Sequence, residues 1–274
     1  MFPTFSLSAL TALELPPPEL IEVAAATGCA LVGLRLISAT PGGLAYPLMD
    51  DPGLLRETLA RSRDSGVGIA DLEIVMLQPE TDVKAFRHFL EAGAALGARH
   101  VLVAGYDDDR ARLIDNYAGF CREAAAFGLT GDLEFMPWTA VPDLATAIDV
   151  VGRAAQPNAG ILIDALHFDR SDSRLPDIAT VPREWLHYWQ LCDAPAARPA
   201  STAELLHTAR AERMIPGEGG LDLEALARAM PDNLVVSLEI PMLELARTVP
   251  ARDRVTRAVE AARKLLAMAP ARNR

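Results

Sequence analysis

The sequence has few of the features that mark several large classes of protein. Its three cysteines, Cys29, Cys121 and Cys192, are scattered and form no CxxC motif. This usage favours a reducing cytoplasm and argues against a structural zinc site. No apolar run approaches the roughly 20 residues that span a bilayer, and the start of the chain lacks the basic segment of a signal peptide. We therefore expect a cytoplasmic protein with no membrane partner.

Positive charge is also scarce, since 26 Lys and Arg residues face 37 Asp and Glu residues and the formal net charge is −11. Proteins that bind nucleic acid usually present a basic face to the phosphate backbone. The charge balance thus predicts that nucleic acid is not a partner. No GxGxxG motif follows any predicted strand, which argues against a dinucleotide-binding sheet.

Short apolar segments alternate with longer segments of helical periodicity along the whole chain. Runs such as LVGLRLI and GILID are typical of parallel strands buried on both faces. The predicted strands are Phe5–Leu10, Leu31–Ile37, Ile69–Met76, His100–Ala104, Gly131–Phe135, Gly160–Asp164, Trp185–Leu191 and Leu234–Glu239. The predicted helices are Pro18–Thr27, Gly53–Ser65, Val83–Leu96, Arg110–Ala126, Asp143–Ala154 and Asp253–Met268, and the tail PARNR is expected to fray.

This alternation predicts an α/β fold, either a closed (β/α)8 barrel or a doubly wound sheet. The length of 274 residues suits the barrel, which typically has about 250. We interpret residues 1–274 as a single TIM-barrel domain, because no linker or change of composition divides them. The longest irregular segment, 193–220, is expected to form an active-site rim loop.

Oxygen-bearing side chains end the last four predicted strands. They are Glu134, Asp164, Gln190 and Glu239, with Asp193 shortly after Gln190. In a closed barrel these strand ends converge, and a divalent cation would relieve the repulsion and desolvation of the carboxylates. An all-oxygen set suits Mg²⁺ or Mn²⁺ better than Zn²⁺. Alternatively, Asp164 and Asp193 could be helix caps, whereas apolar neighbours make that reading harder for Glu134 and Glu239.

The chain resembles the sugar isomerase/epimerase superfamily of metal-dependent barrels, which includes xylose isomerase-like proteins and the endonuclease IV type. The resemblance lies in LEFMP, the D-x-x-H motif, LCDAP, PGEG followed by LDL, and SLEIP. It implies metal ligands at Glu134, Asp164, Gln190 and Glu239. It also implies substrate contacts from His167 and from a rim arginine, Arg213 or, second, Arg210.

Two departures from the family pattern bear on function. The epimerases usually carry a His where this chain has Gln190, which can still offer a neutral oxygen ligand. The endonuclease branch needs many histidines, but this chain has five. A repair-type barrel is therefore disfavoured, and a barrel without catalysis stays an alternative.

The leading hypothesis is an isomerase or epimerase of a sugar-like hydroxy-ketone. Glu134 and Glu239 would move a proton through a metal-stabilised enediolate. A metal-dependent lyase or dehydratase on the same scaffold is the runner-up, and a homodimer stays open.

Other residues have weaker interpretations. Trp138 would either wall the sugar site or pack on the next helix, and Arg35 and Glu73 would either line the pocket or pack inside the barrel. Glu218 is expected to support the rim loop through backbone donors, and His100 is expected to be structural.

Overall fold

Eight parallel strands close into a barrel, which confirms the predicted fold class. The computed structural model describes residues 3–268. The strands follow one another around the barrel in chain order, and β1 closes on β8 through the pairing of Ser6 with Ser237. The strands are β1 (Phe5–Leu7), β2 (Leu31–Arg35), β3 (Gly68–Leu77), β4 (His100–Gly105), β5 (Thr130–Glu134), β6 (Ala159–Asp164), β7 (Tyr188–Leu191) and β8 (Val235–Leu238).

Helices and turns connect the strands and cover the outside of the barrel. Their outward-facing apolar partners on the strands, such as Val32, Leu133 and Ile161, are fully buried. The helices are α1 (Pro17–Thr27), α2 (Pro52–Ser65), α3 (Arg87–Leu96), α4 (Arg110–Ala125), α5 (Leu144–Ala154), α6 (Ala165–Arg170), α7 (Leu175–Ile178), α8 (Thr202–Ala211), α9 (Leu223–Ala229), α10 (Leu243–Ala246) and α11 (Ala251–Met268). Within residues 3–268, none of these helices combines the length and apolar character needed to cross a bilayer.

Local signals explain most helix boundaries. Asp51 caps α2 by accepting hydrogen bonds from the backbone N–H groups of Gly53 and Leu54, at 3.0 and 2.9 Å. Gly66 ends the same helix with φ of 76°, a left-handed conformation that favours glycine. Such caps allow the alternation of strand and helix to be predicted from the sequence.

Several predicted elements differ in extent from those of the structure, and strand β1 already ends at Leu7. Strand β7 begins only at Tyr188, because Arg183–Trp185 forms a 3-10 turn after Pro182. The rim segment 193–220 is not wholly irregular: it contains α8, which Ser201 and Glu204 begin with a capping box. The predicted helix Val83–Leu96 divides into a 3-10 turn, Val83–Phe86, and α3. The tail PARNR lies outside the described residues.

Candidate metal centre and substrate pocket

The four side chains predicted as metal ligands meet at the carboxyl ends of β5 to β8. Glu134 and Asp164 end β5 and β6, Gln190 lies in β7, and Glu239 directly follows β8. All four are at most 4% exposed. One carboxylate oxygen from each of Glu134, Asp164 and Glu239 lies within 4.8 Å of the others, and Gln190 Nε2 donates to Glu239 Oε1 at 2.9 Å.

This cluster has the electrostatics of a cation site. Burial, together with the neighbouring Glu239 and Asp164 carboxylates, raises the pKa of Glu134 well above its usual range. Burial raises the pKa of Glu239 to about 7, although Arg213 opposes the rise. Like charges held together out of water favour protonation or a bound cation.

Two oxygen atoms of the cluster have no hydrogen-bond partner among residues 3–268. They are Oε1 of Glu134 and Oε1 of Gln190, and both are buried. Buried polar atoms are nearly always paired, so these two acceptors fit a divalent ion whose ligands are oxygens. Glu134, Asp164, Gln190 and Glu239 could therefore hold such an ion.

Arg213 lies against this cluster rather than free in the pocket. Its guanidinium donates to Asp164 Oδ2 at 2.6 Å and pairs with Glu239 Oε2 at 2.8 Å. Its Nε donates to the carbonyl of Ala209 at 2.9 Å, which fixes the side chain from α8. The structure thus gives Arg213 a charge-balancing position beside two expected ligands. Arg210, the second arginine predicted from the sequence, is exposed at the rim of the same pocket.

His167 stands one helical turn after Asp164, and Asp164 serves as both helix cap and site residue. Its Oδ1 accepts the backbone N–H of His167 at 3.0 Å, which starts α6. The His167 ring brings Nε2 to 3.8 Å from Glu134 Oε1. Burial lowers the pKa of His167 to about 4, so the ring is neutral at pH 7. The Trp138 ring packs edge to face against the His167 ring, with the two ring centroids 5.1 Å apart.

A second set of polar side chains completes the mouth on β1 to β3. Glu73 Oε1 accepts hydrogen bonds from Ser8 Oγ at 2.8 Å and from the Ala9 backbone at 3.0 Å. Its Oε2 accepts from Arg35 at 2.5 Å. Ser8 Oγ also lies 3.2 Å from Glu239 Oε1. From the sequence, Arg35 and Glu73 had two possible roles, pocket lining or packing inside the barrel. Ser8 was missed, although it follows the first strand as the expected ligands follow theirs.

The pocket above these groups has a volume of about 220 Å³. Its wall combines apolar side chains with cationic and hydrogen-bonding groups. Arg35 Nε and Trp138 Nε1 are buried there without a partner. Apolar lining comes from Ile74, Met76, Leu102 and Met136, and further polar lining comes from Tyr106 and His167.

Asp193 turns out to support the rim, and the expectation for Glu218 is wrong. Asp193 Oδ2 accepts the backbone N–H groups of Gly217 and Gly219 at 2.8 and 3.0 Å. A side chain at Gly219 would come within 2.3 Å of the Asp193 carboxylate, so the PGEGG turn needs glycine there. Glu218 instead pairs with Arg257 on the surface at 3.0 Å, because the turn directs its side chain outward.

A second buried carboxylate cluster lies at the opposite, amino-terminal end of the barrel. Asp132 Oδ1 forms a hydrogen bond with His187 Nδ1 at 2.6 Å, and Asp132 Oδ2 accepts a hydrogen bond from Thr130 Oγ1 at 2.5 Å. His100 Nδ1 lies 3.6 Å from the same carboxylate. His100, which the sequence predicted to be structural, lies in this cluster, whereas the roles of Asp132 and His187 were missed.

The family model described as "Xylose isomerase-like TIM barrel" matches residues 21–266. The chain belongs to this family. A curated protein of similar sequence, the 3-dehydroshikimate dehydratase of Pseudomonas aeruginosa, is 30% identical over 196 residues, which are 71% of this chain. The chain spans only 27% of the length of that relative.

Solved structures of similar fold include metal-bound and epimerase members. The IOLI protein, crystallised with a bound zinc atom, superposes with a TM-score of 0.79 over 97% of this chain and 99% of its own, at 18% identity. D-Psicose 3-epimerase from Clostridium cellulolyticum H10 gives 0.74 over 96% and 99%, at 15% identity. At these identities the likeness concerns the xylose isomerase-like fold alone.

Proposed function

We propose that this chain is a metal-dependent lyase that removes water from a small hydroxy-ketone carrying a carboxylate, of the 3-dehydroshikimate type. The convergence of Glu134, Asp164, Gln190 and Glu239 beneath a pocket walled by arginines and apolar groups carries the proposal. The curated dehydratase relative supports the reaction class, since it is similar in sequence.

A divalent ion held by those four residues would act as a Lewis acid toward the carbonyl oxygen of the substrate. Glu239 is fixed by Gln190, Arg213 and Ser8. Glu134 Oε1 has no hydrogen-bond partner among residues 3–268, so Glu134 is the less tightly held of the two, and its second oxygen would remain to take a proton from the carbon beside the carbonyl when Oε1 binds the ion. The hydroxyl on the next carbon leaves with a proton supplied by a second group, and a carbon–carbon double bond forms.

The second group must hold a proton at the pH of the reaction. Glu239, whose pKa without a bound ion is raised to about 7 mainly by burial, meets this requirement, and neutral His167 offers an N–H group that can donate a hydrogen bond to the leaving oxygen. Both line the pocket together with Glu134. The pocket thus offers one base, one candidate acid and one hydrogen-bond donor around one small cavity.

The pocket wall favours an anionic substrate with few hydroxyl groups. A sugar would bring a hydroxyl on nearly every carbon, and each would need a polar partner once buried. Ile74, Met76, Leu102 and Met136 offer none. Arg35 and the exposed Arg210 supply the cationic donors that recognise carboxylates.

The direct test is incubation of the protein and Mn²⁺ or Mg²⁺ with 3-dehydroshikimate. We expect a conjugated product, seen as rising near-ultraviolet absorbance, that forms with the metal and not with a chelator present. Glu134→Gln is the matched control and should be silent under the same conditions. An unchanged spectrum with metal-loaded wild-type protein would exclude this substrate.

An isomerase or epimerase of a sugar-like ketone is the second candidate. Two carboxylates with raised pKa values, Glu134 and Glu239, could remove a proton from one face and return one to another. A ketose panel incubated in D₂O and followed by proton NMR separates the two candidates. Loss of the proton beside the carbonyl with retention of every hydroxyl identifies the isomerase, whereas loss of a hydroxyl identifies the lyase.

A further inference from the structure

The barrel interior directly below the mouth is unusually polar. Successive side chains of a strand point to opposite faces, so the residue two positions before an inward-facing one also faces inward. Below Ser8, Glu73, Gln190 and Glu239 this rule places Ser6, Asp71, Tyr188 and Ser237. Each of these four is at most 1% exposed.

All four of these side chains have a polar atom that finds no hydrogen-bond partner in the part of the chain that the structure describes. The atoms are Ser6 Oγ, Asp71 Oδ1, the Tyr188 hydroxyl and Ser237 Oγ. Ser6 and Ser237 are register neighbours across the β1–β8 seam. An unpaired buried polar atom costs about 1–3 kcal/mol, so four in one layer point to a shared partner that the chain itself does not provide.

One half of this layer also has small side chains. Barrels of this type normally fill their interior with bulky branched residues. Here Leu102, Leu162 and Tyr188 pack together as a separate apolar cluster on β4, β6 and β7. On the adjoining strands β8, β1 and β2 the corresponding positions are Ser237, Ser6 and Gly33, and a Cβ atom at Gly33 would come within 2.8 Å of the Asp71 carboxylate.

The charge state of Asp71 suits a neutral occupant. Burial and the nearby Glu73, Glu239 and Asp132 carboxylates raise its pKa well above the usual range. A protonated Asp71 both donates and accepts a hydrogen bond. It is a poor cation ligand in that state, and a good partner for water.

We propose that Ser6, Asp71, Tyr188 and Ser237 enclose a buried site for ordered water, directly beneath the candidate metal centre. Buried waters typically make about three hydrogen bonds to otherwise unpaired polar groups, which the four atoms provide. The site is a structural support for the mouth residues that stand two positions further along the same strands. It does not depend on the reaction proposed above.

Removing the two serine hydroxyls tests the site through the sign of a stability change. If water pairs with them, the double variant S6A/S237A loses those hydrogen bonds, and we expect its Tm to fall by about 2–4 °C. If the layer is dry, the same variant removes two unpaired polar atoms and its Tm rises. A rise or an unchanged Tm would overturn the proposal.

Thr11→Val is the matched control for loss of a paired buried hydroxyl. Thr11 Oγ1 donates to the Leu238 carbonyl at 2.7 Å and accepts from the Ile240 backbone at 2.8 Å. The Tm of the Thr11→Val variant should fall whether or not the layer holds water. The control therefore calibrates the size of the effect expected for the serine pair.

A crystal structure of the wild-type protein provides a test that needs no variant. We expect water density within hydrogen-bond distance of at least two of the four polar atoms. Asp71→Asn should retain that density, because an amide also donates and accepts, and Asp71→Leu should lose it. Direct hydrogen bonds among the four side chains, a bound cation, or an empty layer would each contradict the proposal.

Discussion

Asp132 and Glu134 stand two residues apart on β5, point into the same barrel and are both buried, but their environments are opposite. Asp132 bonds His187 and Thr130. Although burial alone would raise its pKa, the His100 and His187 imidazoles hold it below its usual range. Glu134 has an unpaired oxygen and a pKa raised by burial and by Glu239 and Asp164.

The comparison separates a structural carboxylate from one available for chemistry. At the amino-terminal end the chain supplies every partner that Asp132 needs, so the cluster is complete without a ligand. At the carboxyl-terminal end three carboxylates meet around Gln190 and balance only part of their charge through Arg213. Buried charged groups with raised pKa values that line a pocket are candidates for a functional site, whereas burial alone does not make a group one.

Neutral replacements of Glu134 and Asp132 should affect different properties, activity in the first case and stability in the second. This is the largest difference that we expect between the two clusters. Glu134→Gln removes the proposed base, so kcat/KM in the dehydration assay should fall by roughly 10²- to 10⁴-fold, with no loss of Tm. Asp132→Asn breaks a complete network, so its Tm should fall while kcat/KM stays near the wild-type value. Equal effects of the two replacements on activity would contradict the comparison.

Added Mn²⁺ should stabilise the protein through the mouth cluster alone. At a free concentration 100 times the Kd, a ligand specific to the folded state adds about 2.7 kcal/mol, or about 5–10 °C in Tm. The shift should vanish in Glu239→Gln, measured by thermal denaturation with and without chelator. Asp132→Asn should keep the full shift, and loss of the shift there instead would place the ion at the wrong end.

Much of the fold and of the site could be predicted from the sequence. Buried strands such as Leu31–Arg35 read as continuous apolar runs because both faces are covered. The expected ligands could be predicted because each ends a strand, and parallel strand ends must meet in a closed barrel. The pairing of Arg213 with Asp164 and Glu239 could not be predicted, since it depends on where α8 brings the rim back over the mouth.

Short-range sequence patterns also missed interactions between distant strands. Ser8 contacts Glu73 and Glu239 only because β1 lies between β2 and β8 in the closed ring. Asp132 and His187 meet across β6, where Gly160 leaves room for both. Contacts of this kind require the register of neighbouring strands, which propensity and periodicity do not specify.

Gly160→Ala should damage the amino-terminal cluster and spare the mouth. A Cβ atom at this position would lie 2.4 Å from Asp132 Oδ1 and 2.6 Å from His187 Nδ1. Overpacking of this kind costs typically 1–3 kcal/mol, which thermal denaturation will detect as a lower Tm. Gly119→Ala is the control, since its Cβ would make only an ordinary contact of 3.4 Å. Equal Tm values for the two variants would show that the close approach around Gly160 is relieved without cost.

The smallest expected effect is a pH dependence at His187. Burial disfavours its charged form, but Asp132 outweighs burial and raises the pKa of His187 above its usual value of 6.5. The charged pair therefore contributes its full stability below about pH 6.5, while Asp132 is ionised, and loses it as the pH rises through the raised pKa. His187→Gln should lower the free energy of unfolding more at pH 5.5 than at pH 9, by on the order of 1 kcal/mol or less. A difference between variant and wild type that is constant across this pH range would show that the charged His187–Asp132 pair does not contribute to stability.

Anomalous diffraction from crystals soaked in Mn²⁺ tests most directly whether the carboxyl-terminal mouth, and not the amino-terminal cluster, binds a divalent ion. We expect one strong peak with an oxygen of Glu134, Asp164, Gln190 and Glu239 each within about 2.5 Å. A peak at His100, Asp132 and His187 instead, or none at the mouth under saturating Mn²⁺, would contradict this expectation.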